Sequence, residues 1–244
     1  MENHLPKHVA IILDGNGRWA SRQNLSRSQG HIEGAKRVEE VVYAASDMGI
    51  RVLTLYTFST ENWRRPVHEV SLLMQIVCQV LDKKSKNLNE RNIRFNFLGR
   101  REGAPAEVLK SIDETMERTK NNTGMILNMA FNYGSRQEIL DAVKGIARDV
   151  QQGKFSTDKV DEQLFAQYLY TKQLPDPDLL VRTSGEKRIS NFLLWQLSYA
   201  ELYFTDKFWP EFDREEFRRA IDDYQHRERR YGKVDTSGQK EVAR

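Results

Sequence analysis

Short apolar segments alternate with segments of helical spacing along most of this chain, and that alternation limits its fold more than any other feature. Apolar or β-branched runs predict strands at residues 9–13, 51–58, 92–98, 124–131, 179–182 and 197–204. Apolar residues at helical spacing predict helices at residues 30–48, 67–88, 103–121, 135–151, 160–170 and 214–230. Strands that alternate with helices form a largely parallel sheet with helices on both faces. No linker divides the chain, so we predict one α/β domain across residues 1–244, with a polar tail from about residue 232.

Composition excludes several classes of protein. The net charge of +3 over 244 residues is too balanced for a general nucleic-acid binder. Cys78 is the single cysteine, so neither an intramolecular disulfide nor a cysteine-rich zinc site can form. No apolar run approaches the roughly 18 residues of a membrane helix, and no signal peptide is visible. We therefore expect a cytoplasmic protein and leave peripheral membrane contact open.

The first predicted strand ends at Asp14 and runs into a Gly-Asn-Gly turn at residues 15–17, followed by Arg18. A strand that enters such a turn before a helix is a common way to cradle phosphate. The turn also matches the dinucleotide pattern G-x-G-x-x-A, but Asp14 would then lie beside the pyrophosphate and the second strand has no acid at its end. Asp14 could instead cap the following helix. The polar stretch 21–30 predicts a flexible loop.

Chemically capable side chains also follow two later strands. The loop after residues 51–58 contains Ser59, Glu61, Asn62, Trp63 and Arg65, and the loop after residues 179–182 contains Ser184, Glu186, Lys187, Arg188 and Ser190. Because ligands bind at the carboxyl ends of strands in open parallel sheets, these loops are expected to meet in one site. Arginines and hydroxyls suit diphosphate oxygens, and an acid among them suits Mg²⁺. Taken singly, each arginine could be a solvated surface charge and each tryptophan a core residue.

The helix predicted at residues 67–88 has two adjacent apolar stripes. Such a wide apolar surface either packs in the core against more than one neighbour or lines an apolar cavity. Both alternatives stay open at the level of sequence.

Five sequence blocks carry a family resemblance: HVAIILDGNGRWA at residues 8–20, LYTFSTENWRRP at 55–66, NMAFNYGSR at 128–136, DLLVRTSGEKRISNFLLWQ at 178–196 and YAELYF at 199–204. Together with Gly30-His31, they resemble in order the motifs of the cis-prenyltransferases of the undecaprenyl-diphosphate-synthase type. The resemblance covers about residues 8–232. It implies a six-stranded, mostly parallel sheet, a hydrophobic tunnel, a homodimer and Mg²⁺ as cofactor.

The resemblance further implies an activity. Enzymes of this type condense isopentenyl diphosphate with an allylic diphosphate, here expected to be farnesyl diphosphate, in the cis configuration. The expected product is a polyprenyl diphosphate, and we expect undecaprenyl diphosphate for synthesis of the cell-wall lipid carrier.

The resemblance also implies roles for individual residues. Asp14 would be the essential acid that holds Mg²⁺ at the diphosphate, and Glu201 would be a second metal-site acid. Asn62 is the proposed proton acceptor, but an amide is a poor base, so we expect it to orient a water or a diphosphate oxygen that takes the proton. The substrates would be bound by Gly15, Asn16, Gly17, Arg18, Trp19, Arg27, His31, Ser59, Thr60, Glu61, Trp63, Arg65, Arg182, Arg188, Ile189 and Ser190.

Two alternative functions belong to other classes of protein. A non-catalytic subunit of the same fold should have lost Asp14 or the arginines, all of which are present. A dinucleotide-dependent oxidoreductase is supported by the glycine pattern alone.

Lys187 stands where some relatives carry a histidine near the metal, so we assign it no metal role. The charged run 227–230 could cross a dimer interface or form a solvated helix end.

Overall fold

Six parallel strands form one sheet in the computed structural model, which describes residues 5–228. The strands are β1 (His8–Ile12), β2 (Val52–Ser59), β3 (Arg94–Leu98), β4 (Ile126–Tyr133), β5 (Leu179–Arg182) and β6 (Glu201–Phe204). Their order across the sheet is β3-β4-β2-β1-β5-β6, and every neighbouring pair is parallel. The prediction of a six-stranded parallel sheet in one α/β domain is therefore confirmed.

Seven α-helices connect or flank the strands in the described part of the chain. They are α1 (Asn16–Arg22), α2 (Arg27–Asp47), α3 (Val67–Glu90), α4 (Ala106–Thr119), α5 (Ser135–Gln151), α6 (Glu162–Ala166) and α7 (Arg214–Gln225). None of these helices combines the length and the hydropathy that crossing a bilayer requires. The helix predicted at 160–170 is shorter than expected, and so is the strand predicted at 197–204. The residues after 228, including the predicted polar tail, lie outside the described residues.

The prediction of a flexible loop at residues 21–30 is wrong. Helix α1 extends to Arg22 and helix α2 begins at Arg27, so a connection of four residues separates them. Ser26 starts α2 with a capping box: the backbone N–H of Gln29 donates to Ser26 Oγ, and that of Ser26 donates to Gln29 Oε1. These side-chain bonds satisfy N–H groups that have no acceptor within the helix, so the polar residues stabilise a helix start here.

Strand β1 lies in the middle of the sheet, and all five of its residues are buried. Alternate side chains point to opposite faces. Val9 and Ile11 join the cluster that contains apolar residues of α2, α3, α4 and α7. Ala10 and Ile12 join the other cluster, which contains Phe192 from the loop after β5. Continuous burial on both faces explains the unbroken apolar run in the sequence.

A chain of polar side chains crosses the second face of the sheet. Asn96 Nδ2 donates to Asn128 Oδ1 at 2.9 Å, Asn128 Nδ2 donates to Thr54 Oγ1 at 2.9 Å, and Thr54 Oγ1 lies 2.7 Å from His8 Nε2. His8 Nδ1 lies 2.7 Å from the carbonyl oxygen of Pro175, which can accept but not donate. The neutral His8 ring therefore carries its hydrogen on Nδ1 and accepts from Thr54 at Nε2. Burial lowers the pKa of His8 to about 4.

The depressed pKa of His8 predicts a loss of stability in mild acid. The unfolded chain takes up the proton near the ordinary pKa of 6.5, whereas the folded protein resists it down to about 4. The contribution of the neutral His8 ring to the free energy of unfolding is therefore complete above pH 6.5, and it is lost as the pH falls toward 4. From about pH 7 to about pH 5, the free energy of unfolding of the wild-type protein should fall by about 2 kcal/mol more than that of His8→Gln. Urea denaturation at both pH values measures this difference, and parallel losses in the two proteins would contradict it.

Candidate active site

The carboxyl ends of β1, β2 and β5 open into a cavity of about 960 Å³. This volume lies at the upper end of the roughly 300–1,000 Å³ range of small-molecule sites. Most of the predicted site residues line it: Asp14, Gly15, Asn16, Gly17, Arg18, Arg27, His31, Ser59, Glu61, Asn62, Arg65, Arg182, Arg188 and Ser190. The structure thus brings residues from three separate parts of the chain into one site.

Away from the charged residues, the same cavity continues between α2, α3 and the sheet. Its apolar lining includes Val38, Val42, Leu73, Ile76, Val77, Val80, Leu81, Leu88, Phe95 and Leu127. Both alternatives for the wide apolar surface of α3 are therefore realised. Met74 of α3 is buried in the core, and Ile76 and Val80 face the cavity.

The Gly-Asn-Gly turn depends on two close approaches of the backbone. Gly15 has a φ of 103°, which side chains rarely tolerate, and a Cβ there would lie 2.7 Å from the Phe208 ring. A Cβ on Gly34 of α2 would lie 2.1 Å from Asn16 Oδ1. Helix α1 can therefore pack on α2 because Gly34 has no side chain. The sequence analysis did not identify Gly34, since its role depends on a contact between two helices.

Asp14 is held between two arginines. Arg182 Nη2 donates to Asp14 Oδ2 at 2.9 Å, and Arg18 Nη2 lies 3.3 Å from Asp14 Oδ1. Burial opposes ionisation of Asp14, but the hydrogen bond and charge of Arg182 and the charge of Arg18 outweigh it and lower the pKa of this carboxyl. The N-cap residue of α1 is Gly15, so Asp14 does not cap the helix. Asp14 is instead an ionised carboxylate at the charged end of the cavity.

Arg182 also organises the loop that follows β5. Its side chain is 4% exposed, and Nη1 donates to Ser190 Oγ at 2.7 Å and to the carbonyl oxygen of Arg188. Ser184, Ser190, Asn191 and Leu193 all have positive φ angles. Such backbone conformations are unfavourable for residues other than glycine and persist where the surroundings enforce them, often at functional sites.

A second acid, Glu186, joins two of the predicted diphosphate-binding arginines. Arg18 Nη1 donates to Glu186 Oε1 at 2.8 Å, and Arg188 Nη1 donates to Glu186 Oε2. Arg18 Nη2 additionally donates to Ser184 Oγ at 2.6 Å. The two guanidinium groups therefore lie close enough to contact one anion at the same time.

Glu69 is the most informative residue that the sequence analysis missed. Its carboxylate lies 3.3 Å from Arg27 Nη2, 3.1 Å from Arg65 Nη1 and 3.2 Å from His31 Nε2, and its side chain is 8% exposed. Burial opposes ionisation, but bonds and charges from Arg27, Arg65 and His31 lower the pKa of Glu69. Burial also lowers the pKa of His31, which makes the ring neutral at neutral pH. The spacing of four residues from Arg65 was the one available sequence signal.

The loop after β2 is tied to the loop after β5. Asn191 Nδ2 donates to Glu61 Oε1 at 2.9 Å, and the backbone N–H of Ser59 donates to Asn62 Oδ1 at 3.0 Å. Trp63 Nε1 donates to Asn132 Oδ1 at 2.7 Å, which anchors its ring against the sheet. Four predicted substrate residues are not part of the cavity lining, and their roles stay predictions: Trp19, Thr60, Trp63 and Ile189.

Glu201 does not meet Asp14 within this chain. It is the first residue of β6 and pairs with Leu179, the first residue of β5. Glu201 therefore lies at the amino ends of the parallel strands, whereas Asp14 follows the carboxyl end of β1. Its Oε2 accepts a hydrogen bond from Arg227 Nη1 at 3.0 Å. The predicted metal role of Glu201 is therefore not explained by a single copy of the chain.

The residues present fit Mg²⁺ through Asp14 alone. Within residues 5–228, no group of three or more His, Cys, Asp or Glu side chains could hold a metal ion. Proteins often bind Mg²⁺ through one or two carboxylates together with substrate phosphates. Asp14 is ionised, partly exposed and in contact with Arg18 and Arg182, so it suits this mode of binding.

Arginines and hydroxyl groups at one end of an apolar cavity define a class of protein, one whose ligands have an anionic head and an apolar tail. The chain matches, over residues 12–232, the prenyltransferase family model described as "Putative undecaprenyl diphosphate synthase". It is 50% identical over 234 residues to the isoprenyl transferase of Fusobacterium nucleatum. The aligned region covers 96% of this chain and 99% of that protein. The chain belongs to the undecaprenyl diphosphate synthase family of isoprenyl transferases.

Solved structures agree with this assignment. Lavandulyl diphosphate synthase from Lavandula x intermedia, in complex with dimethylallyl diphosphate, is similar with a TM-score of 0.92 and 36% identity, over 93% of this chain and 98% of that chain. A Campylobacter jejuni structure described as a "probable undecaprenyl diphosphate synthase" is similar with a TM-score of 0.77 and 33% identity, over 95% of this chain and 100% of that chain.

Glu69 and its partners Arg27, His31 and Arg65, here called the Glu69 cluster, predict a measurable effect on stability. In Glu69→Gln, the charge that compensates Arg27 and Arg65 is absent. Because both arginines are partly exposed, we expect the free energy of unfolding to fall by a moderate amount, about 1–2 kcal/mol.

Chemical denaturation measures this loss, and Glu33→Gln is the matched control. Glu33 forms an exposed ion pair with Lys36 on the same helix as Arg27 and His31. Its removal should change the free energy of unfolding by less than about 0.5 kcal/mol. Equal effects of the two substitutions would show that the Glu69 cluster has no special weight.

Proposed function

We propose that this isoprenyl transferase condenses isopentenyl diphosphate with an allylic diphosphate, with farnesyl diphosphate as the primer, and adds isoprene units in the cis configuration. The product is a polyprenyl diphosphate, and undecaprenyl diphosphate for the cell-wall lipid carrier is the product we favour. One observation carries the proposal: the arginine-rich end of the cavity continues directly into its apolar half. A single cavity of this kind accommodates both the diphosphate and the hydrocarbon of one molecule.

The charged end has enough donors for two diphosphates. In the proposal, Arg18, Arg27 and the backbone N–H groups of residues 15–17 bind the allylic diphosphate. Arg182, Arg188 and Ser190 bind isopentenyl diphosphate. Guanidinium groups bind phosphate oxygens through pairs of charge-assisted hydrogen bonds, which fix both position and orientation. The lavandulyl diphosphate synthase structure supports this proposal, because that similar protein is in complex with dimethylallyl diphosphate.

Asp14 is proposed to hold Mg²⁺ together with the departing diphosphate. The bound metal ion would neutralise the negative charge that develops on the diphosphate oxygens. Arg18 and Arg182 lie on either side of the Asp14 carboxylate, and Arg18, which binds the departing diphosphate, stabilises the same charge. The carboxylate thereby positions the leaving group and both arginines.

In the proposed reaction, one carbon–oxygen bond breaks, one carbon–carbon bond forms, and isopentenyl diphosphate loses one proton. The bond between the allylic C1 and its diphosphate oxygen breaks, and the diphosphate leaves with the electron pair. The π electrons of isopentenyl diphosphate form the new carbon–carbon bond, and a proton then leaves its C2. Asn62 lines the cavity, and its Oδ1 is fixed by the Ser59 N–H, so its amide Nδ2 can orient the water or diphosphate oxygen that accepts the proton.

We also propose that the active protein is a homodimer in the cytoplasm, with peripheral membrane contact through its lipid product. Strand β6 is an edge of the sheet, and Leu202 on it is 40% exposed, with Trp195 and Tyr199 nearby in sequence at 36% and 74%. These exposed apolar side chains support a contact between copies, and Glu201 lies on the same strand. Glu201 could act at a metal only from such a second copy. A monomer mass in sedimentation equilibrium would contradict this.

The function is tested by incubating the protein with Mg²⁺, radiolabelled isopentenyl diphosphate and farnesyl diphosphate. We expect labelled polyprenyl diphosphates, whose formation stops when Mg²⁺ is chelated. Neither a non-catalytic subunit nor a dinucleotide-dependent oxidoreductase would extend the chain. No extension of any allylic primer would overturn the proposal.

In the same assay, Asp14→Ala should reduce turnover by at least about 10³-fold, because the metal and the leaving group lose their carboxylate. We expect circular dichroism to show the wild-type secondary structure at the assay temperature but a lower thermal stability, because the buried Arg182 guanidinium loses its compensating charge. Turnover within a few-fold of the wild type would contradict the assigned role. Asn62→Asp is a companion variant: near-normal turnover would argue against a specific role for its amide.

A further inference from the structure

The pairing of β2 with β4 shifts twice near the carboxyl ends of these strands, beside the cavity. The last three pairs of the ladder are Tyr56 with Ala130, Phe58 with Phe131 and Ser59 with Tyr133. One residue of each strand therefore has no partner across this ladder: Thr57 in β2 and Asn132 in β4. Bulges of this kind bend a strand and change the direction of side chains, and they are common next to active sites. The function proposed above gives neither residue a role.

Asn132 is fixed by the loop that follows β3. Its φ angle is 49°, a left-handed conformation that asparagine tolerates better than most residues. Its carbonyl oxygen accepts a hydrogen bond from the backbone N–H of Arg100 at 3.2 Å. Its Nδ2 donates to the carbonyl oxygens of Arg100 and Glu102, both at 3.0 Å. Because these carbonyls can only accept, the orientation of the amide is determined, and Oδ1 is left as an acceptor on the other side.

That remaining acceptor holds the indole ring of Trp63. Trp63 Nε1 donates to Asn132 Oδ1 at 2.7 Å, and Asn132 is 5% exposed. The Trp63 ring also packs edge-on against the buried ring of Phe58, with 4.7 Å between the ring centroids. A buried indole N–H usually has a hydrogen-bond acceptor, and here the acceptor is itself rigidly held. Asn132 therefore fixes both the position and the rotation of the Trp63 ring.

Trp63 belongs to a short 3₁₀ helix, Thr60–Arg64, which also carries Glu61 and Asn62. With three residues per turn, consecutive side chains of such a helix point about 120° apart. Glu61 and Asn62 line the cavity, and Trp63 does not. A single 3₁₀ turn has poor hydrogen-bond geometry, so its orientation depends on contacts made by its side chains. Trp63 supplies such a contact on the side that faces away from the cavity.

We propose that Asn132 is a positioning residue for the condensation reaction, and that it acts through the Trp63 indole on the 3₁₀ helix that presents Asn62 to the cavity. The proposal rests on the function proposed above and extends it to a residue outside the cavity lining. Asn132 does not touch the reacting atoms. Trp63 contributes as the anchor of the helix, and the anchored Asn62 orients the water or diphosphate oxygen that accepts the C2 proton.

A misplaced Asn62 affects the reaction more than it affects substrate binding. A displacement of about 1 Å can slow a reaction by about 10²-fold, because the reacting groups no longer meet in the productive geometry. In the proposed function, the diphosphates are bound by arginines of α1, α2, β5 and the loop after β5, none of which belongs to the 3₁₀ helix. Loss of the anchor should therefore lower the rate of condensation and leave the affinity for both diphosphates nearly unchanged.

The test is a double-mutant cycle on the rate of the first condensation, measured under single-turnover conditions so that product release does not limit it. Trp63→Phe keeps a ring against Phe58 and removes the indole N–H. Asn132→Gly removes the bonds of the side chain and tolerates the positive φ angle. Each variant should lower the rate about tenfold, with the KM of both diphosphates within about twofold of the wild type. The double variant should be at most about twofold slower than the slower single variant, because both substitutions break the same link.

Asn92→Gly is the matched control. Asn92 also has a positive φ angle, 56°, and its Nδ2 donates to Thr123 Oγ1 at 3.1 Å. It precedes β3 at the amino ends of the strands and does not line the cavity. Chemical denaturation should show a loss of stability in this variant, but the rate of its folded form should stay within about twofold of the wild type.

Three outcomes would overturn the proposal. The first is a rate within about twofold of the wild type in Trp63→Phe, which also decides the matter if Asn132→Gly does not fold. The second is a pair of single-variant losses that multiply in the double variant, and the third is an equal loss in Asn92→Gly. If the wild-type protein condenses no substrates, the function proposed above fails and this inference fails with it. An active wild type with unaffected variants overturns this inference alone.

Discussion

The geometry of the charged site depends on one buried guanidinium group, that of Arg182. Its residue pairs with Ile12 across β5 and β1, so the arginine and Asp14 start from neighbouring strand ends. A guanidinium that is 4% exposed needs a compensating charge, and Asp14 supplies it at 2.9 Å. The same side chain holds Ser190 and the Arg188 carbonyl of the loop after β5. One ionic contact thereby fixes two loops on the ends of two adjacent strands.

Acidic residues neutralise the arginines of the site at several points. Asp14 contacts Arg18 and Arg182, and Glu186 contacts Arg18 and Arg188. Such contacts hold the guanidinium groups in place, so a diphosphate meets donors that are already oriented. Preorganised donors stabilise developing charge with little rearrangement during the reaction. Within the described structure, Arg182 Nε is buried and has no hydrogen-bond acceptor.

Helices α2 and α3 give the cavity its two different halves. Near the carboxyl edge of the sheet they meet through His31 and Glu69, which belong to the charged end. Further along, both helices contribute apolar residues to the cavity lining, and they meet again through Glu39 and Lys84. The polar contacts at both ends fix the separation of the helices, and the apolar residues between them form the space in which hydrocarbon gains free energy. The charged and apolar halves of the cavity thus follow from the spacing of polar and apolar residues along the same two helices.

Several features of this protein follow from its sequence alone. Apolar periodicity predicts strands and helices from local side-chain chemistry, and the polar residues that follow β1, β2 and β5 predict a site at one edge of a parallel sheet. Asp14 and Arg182 are examples, because residues at the carboxyl ends of parallel strands converge wherever the sheet forms. Local chemistry can mislead as well: Ser26 and Gln29 look like loop residues, but their side chains cap a helix.

Tertiary structure alone decided the remaining features, because they depend on distances between segments that are remote in sequence. Glu69 reaches Arg27 and His31 across a gap between two helices, and Gly34 is required by an approach of Asn16 that no local pattern encodes. Glu201 lies at the amino ends of the strands, away from Asp14, because of the direction of β6, which a sequence motif does not reveal. The sequence determined which chemical groups are available at the strand ends. The packing of α2 and α3 on the sheet decided which of them touch and how far the cavity extends.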